Sequence, residues 1–129
     1  MRFVVCAALL WGLAPAAQSQ SPAPAPAADF PADAKPLTAE ALQQRMKGKV
    51  FHVERPDGNH WRLQYQGSGY YFINTSQGYS DSGKWRVEDS KVCTEPQKTP
   101  TSCSEARLLG ETLYVKRATN GEIVKLEPR

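Results

Sequence analysis

The two histidines, His52 and His60, are the first candidates for chemistry, because imidazole is the commonest protein ligand of transition metals. The alternation of apolar and polar residues around them predicts a β-hairpin whose outer face carries both, His52 opposite Gln64 and His60 opposite Pro56. Four strand steps then separate them, roughly 13 Å at about 3.3 Å per residue. Since no cluster of cysteines or carboxylates completes a ligand set, we expect surface histidines, no metal and no cofactor.

Nucleophilic catalysis is not indicated either. The serines of the turns lie outside any Gly-x-Ser-x-Gly elbow, and no histidine is placed to activate one of them. A pair of carboxylates for glycoside hydrolysis would require the fold to bring together two of four acids. These acids are Asp57, Asp81, Glu88 and Asp89. The sequence does not place any two of them together, so no catalytic residue is assigned.

The remaining signal is aromatic. Tyr70 and Phe72 share the outward face of one predicted strand, and Tyr79 lies in the long turn that follows. Two interpretations stay open. A short helix covers Tyr70 and Phe72 with Leu42 and Met46, or the three aromatic residues form a shallow platform for a sugar ring, a peptide or a partner protein. Tyr70, Phe72 and Tyr79 are therefore the candidate ligand-binding residues.

The N-terminal residues have the composition of a secretory signal. Met1-Arg2 is basic, Phe3–Leu13 is apolar but too short to span a bilayer, and small residues follow. We assign 1–19 to a signal peptide, 20–36, rich in alanine and proline, to a flexible linker, and 37–129 to a single β-rich domain. The expected location is outside the cytoplasm, periplasmic or secreted, with no stable membrane insertion.

Charge and cysteine content narrow the class of protein further. Lysine and arginine number 16 against 13 acids, and they are interspersed without the clustering that nucleic-acid binding requires. With Cys6 removed in the signal peptide, Cys93 and Cys103 remain as an even pair, for which a disulfide is the default in an exported chain. A bridge over so short a loop contributes on the order of 2–3 kcal/mol.

One helix and a series of short strands must position these residues. The helix is predicted over Leu37–Met46, with Thr38 as N-cap and Gly48 as its end. The predicted strands are Lys49–Arg55, His60–Gln66, Tyr70–Thr75, Lys84–Asp89, Ser104–Leu108, Thr112–Arg117 and Glu122–Glu127.

The turns between these strands predict their register. A three-residue loop over 57–59, with Asn59 left-handed, pairs Phe51 with Tyr65 and keeps one apolar face. Gly67-Ser68-Gly69 gives a second hairpin of the same loop length, and Asn120-Gly121 predicts a two-residue type I′ turn in the last one.

These registers predict the interior and the fold class. The predicted interior consists of Phe51, Val53, Trp61, Leu63, Tyr65, Tyr71, Ile73, Trp85, Val87, Leu113, Val115, Val124 and Leu126. The fold class is mainly β: a small antiparallel meander or barrel-like sheet with one short N-terminal helix and one disulfide. It is either a rolled barrel or a strongly bent sheet with the helix across one opening. Because the strands are short, we expect no spacious cavity.

Several short motifs also carry a resemblance. They are Leu37-Thr38-Ala39-Glu40 leading to Gly48-Lys49-Val50-Phe51, then Gly83-Lys84-Trp85-Arg86-Val87, and the pair Cys93 and Cys103. With these motifs the chain resembles a family of small secreted or periplasmic bacterial proteins that have a lipocalin-like β-meander. The resemblance implies a fold and an exported location, and it implies no activity.

The missing catalytic cluster and the aromatic surface favour a non-enzymatic binding or inhibitor-type module. Its expected partner is an envelope protein, a peptide or a glycan. Two alternatives remain open: a small cell-envelope hydrolase, and a structural accessory protein of the envelope.

Overall fold

The structure of the protein, a computed structural model, describes Gly12 and residues 29–129. The predicted signal peptide, 1–19, lies outside the described residues apart from Gly12, as does the stretch 20–28 of the predicted linker. None of the helical structure in the described part is long and apolar enough to cross a membrane.

The described part of the chain contains one helix and nine strands. They are β1 (Lys35–Pro36), α1 (Ala39–Met46), β2 (Lys49–Glu54), β3 (His60–Tyr65), β4 (Tyr70–Thr75), β5 (Ser80–Glu88), β6 (Lys91–Pro96), β7 (Ser102–Leu109), β8 (Thr112–Lys116) and β9 (Ile123–Pro128).

Strands β2 to β9 form a closed antiparallel barrel of eight strands. Each strand pairs with the next one in the chain, and β9 returns to β2, where Phe51 lies opposite Pro128 and His52 opposite Glu127. The backbone N–H of Arg129 extends this closure by donating to the carbonyl oxygen of Val50 at 3.0 Å. The predicted fold class is therefore confirmed, and the sheet is a barrel rather than an open bent sheet.

Three successive hairpins use the same turn. After each of β2, β3 and β4, the residue before a three-residue loop donates its N–H to the carbonyl oxygen of the residue after the loop. The third loop residue is Gly58, Gly69 or Gly78, with φ of 83°, 94° and 86°. Glycine adopts this left-handed conformation without a steric penalty. The regular turns fix the register of half the barrel.

Two predicted turns were wrong in detail. In the first hairpin Gly58, not Asn59, is left-handed, and Phe51 pairs with Leu63 instead of Tyr65. In the last hairpin the N–H of Arg117 donates to the oxygen of Glu122, so the loop holds four residues instead of two. Both errors displace the register by two residues, which leaves every side chain on its predicted face.

The middle of the chain holds more strand than predicted. The turn after β4 is short, so β5 begins at Ser80 instead of Lys84. The prediction also missed β6, a strand that contains only a short apolar run and ends at Pro96. Cys93 of β6 lies directly opposite Cys103 of β7, and the predicted disulfide between them is confirmed, with an S–S distance of 2.04 Å.

Part of the segment assigned to the linker lies against the barrel. Phe30 and Ala34 are buried, and Pro36 of β1 pairs with Arg107 of β7. The Arg107 guanidinium lies 4.5 Å from the centre of the Phe30 ring, a cation–π distance. A single aromatic residue thus anchors a segment whose overall composition is typical of disorder.

Tyr65 is the centre of the core. Its ring lies 6.1 Å from Phe51, 6.2 Å from Tyr71 and 5.4 Å from Trp85, measured between ring centres. The indole N–H of Trp85 donates to the backbone oxygen of Gln66 at 2.9 Å, which satisfies its polar atom. Every residue of the predicted interior is either buried in this core or packed against it, so that prediction is confirmed.

Helix α1 lies at the end of the barrel nearest this cluster. The Thr38 hydroxyl accepts the N–H of Ala41 at 3.2 Å, as predicted for the N-cap, and Leu42 and Met46 are completely buried. Arg45 forms an ion pair of 3.3 Å with Glu111 in the turn between β7 and β8. The helix therefore fills one end of the barrel. The turns that follow β2, β4, β6 and β8 surround the other end.

Gly83 of β5 lies against the backbone of β6 with no room for a side chain, and it provides a test of the fold. An added Cβ there would lie 2.0 Å from the backbone oxygen of Glu95. We expect Gly83→Ala to lower the free energy of unfolding by about 1–3 kcal/mol, because the backbone of β5 or β6 must move to make room for the added methyl group. Denaturant unfolding measures this.

Gly67→Ala is the matched control. Its added Cβ would meet only the flexible side chain of Lys47, at 3.2 Å. Equal effects of the two substitutions on the free energy of unfolding would contradict the placement of β6 against β5.

Candidate ligand-binding site

A cavity of about 770 Å³ opens at the end of the barrel opposite α1. The expectation that short strands exclude a spacious cavity was wrong. The helix fills only one end, and the positions facing the other end carry small side chains such as Thr75, Thr94, Ser102 and Ser104. The volume lies within the range of about 300–1,000 Å³ that is typical of small-molecule sites.

The cavity is apolar in its depth and hydroxyl-rich at its mouth. Deep positions are occupied by Leu63, Tyr65, Tyr71, Ile73, Val92 and Leu126. The mouth is lined by the turns between β4 and β5, β6 and β7, and β8 and β9, including Thr99, Thr101 and Thr119. Such a gradient suits a molecule with an apolar body and a small polar end.

Asp81 is the one buried charged residue among those that the structure describes, and it forms part of the cavity wall. One carboxylate oxygen accepts the N–H of Ser82 at 2.7 Å, and the other accepts the N–H of Lys98 at 3.0 Å. Burial alone would raise the pKa of this carboxyl. The backbone donors of Lys98, Ser82 and Gln97 outweigh burial and hold the pKa below its ordinary value of 3.8, so Asp81 is ionised at neutral pH.

A second charged group lies around Trp61 at the mouth. The guanidinium carbons of Arg55 and Arg117 lie 4.5 Å and 4.8 Å from the centre of the Trp61 ring. Both guanidiniums bind the carboxylate of Glu122, at 2.8 Å and 3.2 Å. Because Glu122 offsets one of the two positive charges and the Trp61 ring interacts with both, neither arginine presents a bare charge to the cavity.

The buried tyrosines contribute neutral hydroxyls. Burial raises the pKa of Tyr71 to about 12, and the negative charge of Asp81 adds to the effect, although a hydrogen bond with Thr94 opposes it. Burial also raises the pKa of Tyr65. At neutral pH both phenols are therefore protonated, and each hydroxyl can donate one hydrogen bond.

The structure separates the predicted ligand-binding residues into two places. Tyr70 and Phe72 lie on the outer face of β4, with 50% and 36% of their surfaces exposed. Helix α1 does not cover them, because Leu42 is buried inside the barrel instead. Tyr79 lies at the mouth of the cavity, where its hydroxyl is 3.4 Å from Asp81. Tyr70 begins β4, whereas Tyr79 follows the other end of this strand. Because β4 is six residues long, its two ends are roughly 17 Å apart.

The histidines lie on the outside, but their predicted neighbours were wrong. His52 is opposite Arg62 and His60 is opposite Glu54, because of the two-residue displacement of the first hairpin. Partial burial lowers the pKa of His52, and the positive charges of Arg129 and Arg62 lower it further.

Two of the carboxylates named from the sequence, Asp81 and Glu88, lie too far apart to form the catalytic pair considered above. Asp81 lies near the mouth, whereas Glu88 is at the other end of β5, seven residues and roughly 23 Å away along the strand. Glycosidases hold their two carboxyl groups within about 5–9.5 Å. Glu88 instead lies 3.7 Å and 4.0 Å from the sulfurs of Cys93 and Cys103, which the disulfide withholds from metal binding.

From the sequence, Asp81 is predicted only as a possible catalytic acid, and its place in the cavity wall is not predicted. The alternation of Asp81, Gly83, Trp85 and Val87 carries the signal, but the predicted strand begins at Lys84. A polar residue on an inward face is a recognisable mark of a site once the strand limits are known.

In comparisons with protein-family models, with curated proteins and with solved structures, no match to the chain was found.

The tyrosines allow a test of the cavity wall by alkaline titration. Unfolded tyrosine ionises near 10.0 and folded Tyr71 near 12, so the unfolded chain loses its protons first. The contribution of Tyr71 to stability is complete below pH 10 and is lost as pH rises towards 12. We expect Tyr71→Phe to unfold with a shallower loss of stability over this interval.

Absorbance at 295 nm and denaturant unfolding measure the two effects. The native protein should show tyrosine ionisation above pH 11 that is missing from the denatured chain. Equal slopes of stability against pH in the wild type and Tyr71→Phe would contradict the burial of this hydroxyl.

Proposed function

We propose that the protein is a non-enzymatic binding module that takes one small, uncharged, largely apolar molecule into the open end of its barrel. The observation that carries this proposal is the cavity of about 770 Å³ with an apolar interior and a hydroxyl-rich mouth. Burying apolar ligand surface there yields roughly 25 cal/mol per Å² before the entropy lost on binding is subtracted.

The charge at the mouth supports an uncharged ligand. Asp81 is bound by backbone N–H groups and Arg117 by Glu122, so both charged residues of the cavity wall already have partners within the protein. A charged ligand group would lose its hydration and would have to displace one of these contacts. An uncharged ligand needs neither step.

We further propose that the protein is exported, to the periplasm or the medium, and that it is of the lipocalin-like bacterial kind that its sequence resembles. The composition of 1–19 and the disulfide support the location. The closed eight-stranded antiparallel barrel is compatible with the resemblance.

A second candidate function uses the outer face of β4. Tyr70 and Phe72 remain exposed, which supports a platform for an envelope protein, a peptide or a glycan. The test of the cavity must therefore separate the inner site from this outer face.

The experiment uses N-phenyl-1-naphthylamine, an uncharged apolar fluorophore, and the processed, oxidised protein. We expect saturable binding of one molecule, and at least tenfold weaker binding by Val115→Trp, because the indole occupies the cavity that Val115 lines. Tyr114→Trp, on the neighbouring outward-facing position of β8, should bind as the wild type does.

Two further measurements complete this test. The anionic 8-anilinonaphthalene-1-sulfonate should bind more weakly than the uncharged probe. Loss of binding in Phe72→Ala together with unchanged binding in Val115→Trp would transfer the site to the outer face and overturn the proposal.

A further inference from the structure

The loop between β6 and β7 forms one side of the cavity mouth, through Thr99, Pro100 and Thr101. Its base is fixed by the disulfide of Cys93 and Cys103. Its tip has no hairpin turn of its own to hold it, and it is instead attached to the neighbouring strand β5.

Four hydrogen bonds make this attachment, and one of them runs from the side-chain amide of Gln97 to the hydroxyl of Ser82 at 3.4 Å. The N–H of Gln97 donates to the oxygen of Ser82 at 3.2 Å, and the N–H of Lys98 donates to the carboxylate of Asp81 at 3.0 Å. The Lys98 ammonium donates to the backbone oxygen of Ser80. Within the described part of the protein, Asp81 is the only one of these acceptors whose side chain is buried.

Both carboxylate oxygens of Asp81 accept hydrogen bonds. Ser82 binds one of them, and Lys98 and the hydroxyl of Tyr79 share the other. An asparagine at this position has a single acceptor oxygen, so its NH2 group would face the N–H of either Ser82 or Lys98. A carboxylate is therefore the side chain that can hold the strand and the loop together.

We propose that Asp81 is a positioning residue that holds the loop 97–101 as a wall of the cavity mouth and thereby sets how readily a ligand passes. The part that concerns the ligand rests on the proposed function, whereas the part that concerns the loop does not. The groups that face Asp81 are Tyr71 on β4, Tyr79 before β5, and Lys98 in the loop itself.

Amide hydrogen exchange of Asp81→Asn tests the position of the loop. Exchange at Gln97 and Lys98 should accelerate at least tenfold, while the amides of β2 and β3 keep their wild-type rates. Asp57→Asn is the matched control, because Asp57 carries the same charge at the same end of the barrel and accepts the N–H of Asn59 at 2.9 Å in a different turn. It should leave the exchange of Gln97 and Lys98 unchanged.

Stopped-flow binding of N-phenyl-1-naphthylamine tests the mouth. We expect Asp81→Asn to raise both the association and the dissociation rate at least threefold, and Asp57→Asn to change neither. Should Asp81→Asn fail to fold, Asp81→Glu keeps the charge, displaces the carboxylate, and should accelerate the same two amides.

Unchanged exchange at Gln97 and Lys98 in both Asp81 variants would overturn the proposed position of the loop. Faster exchange with unchanged probe kinetics would overturn its control of the mouth. If the wild type does not bind the probe, the proposed function fails, but the exchange measurement still decides whether Asp81 holds the loop.

Discussion

The packing of three aromatic rings around Tyr65 is the interaction on which the rest of the structure depends. It joins β2, β3, β4 and β5 at one end of the barrel, and it presents an apolar surface on which the short helix α1 buries Leu42 and Met46. A helix of eight residues is only marginally stable alone, so this burial is what holds it. Because the side chains of this cluster gather at one end, and several inward positions at the other end carry small side chains, the barrel remains hollow there.

The open end of the barrel is polar, but the charges in its wall are already paired within the protein. Its two charged wall residues, Asp81 and Arg117, are bound by backbone N–H groups and by Glu122. Charged groups paired in this way maintain the shape of the protein, since an unpartnered charge would be unstable in an apolar wall. The same contacts that stabilise the mouth therefore favour an uncharged ligand.

The face of each side chain could be predicted from the sequence, and so could the pairing in the second hairpin, but the exact pairing in the first and last hairpins could not. Alternation along a strand determines which side chains point inward, and a register error of two residues leaves this unchanged, as at Phe51 and Val115. Turn geometry depends on which residue becomes left-handed, and the residues around Gly58 and Asn59 do not decide between these two by themselves. Strand β6 was not predicted because its short apolar run becomes a strand only through pairing with β5 and β7. The wall position of Asp81 was not predicted because the predicted strand starts at Lys84, after Asp81. The cavity arises from the packing of the helix against the rings, which no local pattern reports.

The most direct test of the account is nuclear magnetic resonance of the methyl-labelled, oxidised protein with bound N-phenyl-1-naphthylamine. If the aromatic cluster closes one end of the barrel and leaves the other end open, intermolecular Overhauser effects will connect the probe with the methyl groups of Leu63, Val92 and Leu126, which line the cavity. Effects confined to side chains next to Phe72 on the outer face of β4, with none to these three residues, would contradict it.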